Sequence, residues 1–108
     1  MKILNIHKTI SSGQLLYLLQ QKLNLLFHQQ RQSDIDFTFE SIGSFIEIYQ
    51  PELYEGFLFQ IEVKGQELWI TRSEHYVDDV NSLTLESILN ELFAELAEDG
   101  KVTLVLEG

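Results

Sequence analysis

Apolar and polar positions follow two periods along this chain, and the places where the period changes mark its elements. Residues 2–7 are a short, mostly apolar stretch and predict a first strand. Ser11 and Gln14 then stand three apart, the spacing of a capping box, with Ile10 and Leu15 placed as a hydrophobic staple across it. Leu16, Leu19, Leu23, Leu26 and Phe27 recur at intervals of three and four, which is one face of a helix. Leu15, Tyr17, Leu18 and Leu25 widen that stripe. The helix over 11–30 is therefore more apolar than one sheet face requires, and part of it is a candidate surface for a homodimer.

From residue 34 the period drops to two. Ile35, Phe37 and Phe39 alternate with Asp34, Asp36, Thr38 and Glu40, as in a half-buried strand. A turn is expected at 41–43. The next strand runs Phe45 to Tyr49, with Ile46 and Ile48 inward. Pro51 and Gly56 mark a loop. Phe57, Phe59, Ile61 and Val63 then alternate with polar neighbours up to a tight hairpin at Lys64-Gly65. The return strand carries Leu68 and Ile70 inward, with Trp69 and Thr71 on the opposite face. Residues 73–82 read as polar and irregular, and Thr84 as the N-cap of a second helix. Leu85, Ile88, Leu89, Leu92, Phe93 and Leu96 give that helix one apolar stripe, and Gly100 is expected to close it. Val102, Leu104 and Leu106 alternate in a last strand.

The order is β-α-β-β-β-β-α-β. It predicts an α+β fold with a single domain over residues 1–108: a mostly antiparallel sheet of about five or six strands with two helices packed on one face. The strands alternate as a sheet with one wet face requires.

Charge adds a direction to this picture. The chain has a formal net charge of -10, unevenly spread. Residues 1–32 hold four basic side chains and no acid, while residues 33–108 hold three basic side chains against all 17 acids. Such a surface repels free nucleic acid and anionic membranes and favours encounter with a basic protein. Acidity of this degree also serves plain solubility. No apolar run approaches the ~18 residues needed to span a bilayer, and the first residues lack a secretory pattern. A soluble, cytoplasmic protein is expected. With no cysteine, thiolate chemistry is absent.

Catalytic signals are poor. No nucleophile elbow or glycine-rich phosphate loop occurs, and His7, His28 and His75 lie in separate segments. His75 with Asp78 and Asp79 is the one cluster with metal-ligand chemistry, and its spacing fits no known calcium loop. Asp34 and Asp36 share one strand face by parity, where a solvated face is the simpler explanation. The expectation is a protein that is not an enzyme and holds no metal or cofactor.

Two surfaces qualify for recognition. One is the wet sheet face, where Trp69 is expected beside Glu62 and Glu67, with Tyr49 or Phe45 sharing it. The other is the acid row of the second helix, including Glu91 and Glu95. Tryptophan and tyrosine ringed by carboxylates resemble the anchors of protein interfaces. The sequence thus points to a non-enzymatic inhibitor of the DNA-mimic, nuclease-immunity or anti-CRISPR kind. It would occupy a basic, nucleic-acid-handling site through Trp69, Glu62, Glu67, Glu91, Glu95, Asp34 and Asp36. The alternative is a small chaperone-like or adaptor dimer that binds an apolar segment of its partner.

Overall fold

Ser11 opens the first helix as its spacing predicts. In the computed structural model, which describes residues 1–74 and 79–108, the Ser11 hydroxyl accepts from the Gln14 amide at 3.1 Å, and the Gln14 side chain accepts from the Ser11 amide at 2.8 Å. The reciprocal pair satisfies backbone donors that the helix start would otherwise leave bare. Helix α1 runs Ser12–Arg31 and ends at Gln32 in the left-handed region, with φ 50°. It buries Leu15, Leu19, Leu23 and Phe27 completely.

Helix α2 runs Val80–Leu96 and starts earlier than its sequence predicts. Its N-cap is Asp79, not Thr84. The Asp79 carboxylate accepts from the Ser82 amide through Oδ1 and from the Tyr54 hydroxyl through Oδ2, both at 2.8 Å. A carboxylate complements the helix N-terminus in both hydrogen bonding and charge, and Tyr54 supplies an anchor that Thr84 lacks. Thr84 instead lies inside the helix, where its hydroxyl donates to the Val80 carbonyl at 2.7 Å. Burial alone would push the Asp79 carboxyl up. The Ser82 amide and the Tyr54 hydroxyl outweigh that and hold it below its usual value. The helix also ends before Gly100. Ala97 leaves it, and Glu98–Gly100 form a 3-10 turn with Asp99 and Gly100 at φ 53° and 72°. The Glu98 amide then donates to the Ile6 carbonyl at 2.9 Å and ties this turn to the first strand's exit.

Six strands among the described residues complete the fold: β1 Lys2–Asn5, β2 Thr38–Ile42, β3 Phe45–Tyr49, β4 Phe57–Lys64, β5 Glu67–Arg72 and β6 Thr103–Glu107. They form one sheet in the order β2-β3-β4-β5-β1-β6, antiparallel at every junction. The α+β arrangement and its element order are those expected from the sequence. Gly43 and Gly65 both adopt φ 61° at the two hairpin turns, a conformation that costs glycine no side-chain clash. Ile42 still pairs with Phe45, so the first hairpin turns at Gly43-Ser44 and begins two residues later than the turn expected at 41–43.

Alternate residues of the strands face the helices. Leu4, Ile46, Ile48, Phe59, Ile61, Leu68 and Ile70 join Leu15, Leu19, Leu23 and Phe27 of α1 and Leu85, Ile88, Leu89, Leu92 and Phe93 of α2 in one core. No helix among the described residues is long and apolar enough to cross a membrane.

The ladder of β2 begins at Thr38, not at Ile35. Residues 33–37 are held by side chains instead. Asn24 of α1 donates to the Phe37 carbonyl at 3.0 Å and accepts from the Phe37 amide at 2.7 Å, imitating a neighbouring strand. Gln50 Nε2 donates to the Asp36 carbonyl at 2.8 Å. These bonds seat the buried Phe37 ring edge-on against Phe27, with centroids 4.8 Å apart. Asp34 and Asp36 therefore lie in a connection beside α1, not on a strand face.

Asn24→Ala should cost about 1–3 kcal/mol, because it strips both backbone partners from Phe37. Urea unfolding of the two proteins measures it. The Asp79 cap adds a pH dependence. A carboxyl whose pKa is lowered by folding stabilises fully above its unfolded value and loses that contribution as pH falls through the folded one. Asp79→Asn, which keeps a capping oxygen, should flatten the acid side of the stability–pH curve.

Candidate functional site

The helices cover one face of the sheet and leave the other to solvent, and strand register decides what that open face displays. One row crosses all six strands: Ile42, Phe45, Glu62, Trp69, Ile3 and Leu106 are successive pairing partners. Five of these side chains are apolar. Ile42 and Leu106, at the two ends, are 55% and 51% exposed, and Phe45 and Trp69 are half-buried between them. A second row places Glu40, Glu47, Gln60 and Thr71 side by side. A third joins Lys64, Glu67, Asn5 and Thr103.

Trp69 is held upright in this surface. Its indole N–H donates to Glu67 Oε1 at 3.0 Å, and the Lys64 ammonium lies 3.9 Å from its ring centroid. Lys64 is also 3.5 Å from Glu62, whose other oxygen accepts from the Ser44 hydroxyl at 3.2 Å. Polar contacts at the ring's N–H and at its face hold the side chain in place.

The acid row is built differently. Glu40 and Glu47 are direct partners across β2 and β3, a like-charge opposition that weakens a sheet. Glu47 is buried to 8% exposure and is satisfied by Tyr49 Oη, donating at 2.6 Å, and Gln60 Nε2, donating at 2.8 Å. The bond to Glu47 is the main reason the Tyr49 phenol is pushed up to about 12, with desolvation and the charges of Glu47 and Glu40 adding to it.

The structure brings together Trp69, Glu62 and Glu67, and both Tyr49 and Phe45 share their face. It does not bring the remaining predicted acids there. Glu91 and Glu95 belong to α2 in the helix layer, where Glu95 pairs with Lys22 of α1. Asp36 lies beside α1, its Oδ1 2.7 Å from His28 Nε2, and Asp34 is exposed in the same connection. Of the metal cluster, Asp79 is the α2 cap, while His75 and Asp78 lie outside the described residues. No group of three metal-ligating side chains occurs among the described residues. The pattern also left Ile3, Ile42, Glu40, Glu47 and Leu106 unassigned to a site. Alternation gives each its parity, but only register shows that Ile3, Ile42 and Leu106 continue the row of Trp69.

On the helix side, α2 and the sheet line a half-open pocket of about 290 Å³. Phe59, Ile70, Leu89 and Phe93 give it an apolar wall, and Lys2 and Arg72 are balanced there by Glu86 and Glu107.

Tyr49 provides a direct check of the acid row. Because its folded pKa lies above the ordinary value, its contribution to stability is complete below pH 10 and disappears as pH rises through about 12. An NMR titration of the phenol should show this late ionisation, and Glu47→Gln should move it back toward the ordinary tyrosine range. Compared with protein-family models, with curated proteins and with solved structures, the chain matches none, and its open sheet face is the feature on which a functional reading rests.

Proposed function

We propose that this chain is a non-enzymatic, protein-binding inhibitor whose open sheet face occupies a basic, nucleic-acid-handling site on a partner protein. The observation that carries this is the row Ile42–Phe45–Glu62–Trp69–Ile3–Leu106, bordered by the carboxylates Glu40, Glu47 and Glu67. An apolar strip gives a partner area to bury, and a fixed tryptophan gives it an anchor. The surrounding carboxylates select a cationic partner and speed its encounter. They also relate the surface to a phosphate backbone, which presents closely spaced negative charge to the same Lys and Arg side chains. Of the pair Glu40 and Glu47, the exposed Glu40 is the one open to a cationic side chain, since both Glu47 oxygens are held by Tyr49 and Gln60.

A second reading, an adaptor that binds an apolar segment of its partner, draws on the accessible apolar members of the same row, Ile42, Phe45, Trp69 and Leu106. The two differ in the force that holds the partner. Charge-led binding weakens as salt shortens the screening length, and apolar binding does not.

The test is capture of partner proteins from a host-type lysate at low salt, elution by high salt and identification by mass spectrometry, repeated with variants. The triple variant Glu40→Gln, Glu62→Gln, Glu67→Gln should lose a basic nucleic-acid-handling protein that the unaltered chain retains. Trp69→Ala should weaken that binding about 30-fold, the effect of an anchor worth ~2 kcal/mol. Glu91→Gln with Glu95→Gln, on the helix layer, should leave it unchanged. Equal retention by the triple variant overturns the inhibitor reading, and retention through high salt favours the adaptor.

A further inference from the structure

We propose that β6 is a self-association edge, through which two copies of this chain pair antiparallel and continue one sheet across a two-fold axis. The sheet has two edges, and they are not equivalent. Native edges are guarded by charge, proline, bulges or covering segments. The β2 edge carries Glu40 at its centre. The β6 edge has neither charge nor proline from Thr103 to Leu106, and Leu104, Val105 and Leu106 are each about half exposed, at 53%, 51% and 51%. Among the described residues its guards are Glu107 at its end and a bulge, Val105 being the extra residue between the partners of Ile3 and Leu4.

The strand is its own complement when reversed. Lys101 precedes it in extended conformation, Glu107 ends it, and four apolar residues, Val102, Leu104, Val105 and Leu106, lie between. Antiparallel pairing of two copies brings the Lys101 end of each beside the Glu107 end of the other and apolar middle against apolar middle. It also produces an isologous contact that closes as a dimer. The axis of such an edge pair stands perpendicular to the sheet, so the Trp69 faces of both copies stay open on one side. A five-residue edge offers less area than a permanent interface, and two copies of net charge -10 repel. The dimer is therefore concentration-dependent and strengthens with added salt, opposite to the salt response of the acidic face. The proposal stands independently of the inhibitor reading, whose variants do not touch β6.

Sedimentation velocity of the full chain, from low micromolar to millimolar concentration in low and moderate salt, is the experiment. The expected result is a monomer that becomes a dimer with concentration, more readily in moderate salt. Val105→Lys should remain monomeric with an unchanged circular dichroism spectrum. Lys101→Glu and Glu107→Lys should each weaken the dimer, and mixing the two should restore it as a heterodimer. A chain that stays monomeric throughout overturns the proposal. So does a dimer that survives Val105→Lys but is lost in Leu25→Lys, which would place the contact on the exposed side of α1.

Discussion

The packing of two helices onto one face of an antiparallel sheet is the interaction on which the rest of this structure depends. Phe27 and its leucine neighbours from α1, and Leu85 to Phe93 from α2, bury the same side of five strands. Once that side is fixed, pleating leaves no freedom in what the opposite side shows. Trp69 is outward because Leu68 and Ile70 are inward. A one-residue slip of β5 would bury the tryptophan and expose two core residues, so core burial holds the candidate site in register.

The two layers divide the chemistry as well. On the helix layer, carboxylates find local partners: Glu95 has Lys22, and Asp36 has His28. On the open face, acids gather faster than cations can answer them. Lys64 serves Glu62 and the Trp69 ring together, and the Glu47 carboxylate relies on neutral donors from Tyr49 and Gln60. Neutral donors solvate a carboxylate without cancelling its charge, so the face keeps a negative potential while its side chains stay ordered. That combination distinguishes it from the acids of α2, which stand on one helix and share no apolar strip.

Where the structure departs from the sequence pattern, a long-range bond competed with a local signal and won. Thr84 has the right chemistry for an N-cap, yet Asp79 takes the role because Tyr54, from the distant β3–β4 connection, bonds its second oxygen. Ile35 and Phe37 alternate as in a strand, yet Asn24 of α1 takes the backbone bonds that a strand would have used. Gly100 does adopt a positive φ, but it closes a 3-10 turn tied to Ile6 and not the helix itself. Each winning partner is far away in sequence, and periodicity carries no information about such pairs.

The sequence by itself determined the element order, the inward set of each strand and the stripes of both helices, because periods of two and 3.6 are local properties of the backbone. It determined that Trp69 faces away from the core, and that the acids outnumber the bases beyond residue 32. Only the tertiary structure decided that β1 sits between β5 and β6. That placement carries Ile3 and Leu106 into the row of Trp69 and leaves β6 as an edge. Strand order and register arise from pairing between segments far apart in the chain, and the same alternation is compatible with many pairings. The split of the acids had the same origin. Asp34, Asp36, Glu91 and Glu95 read alike with Glu62 and Glu67 along the sequence, and the choice of which layer each joined was made by packing.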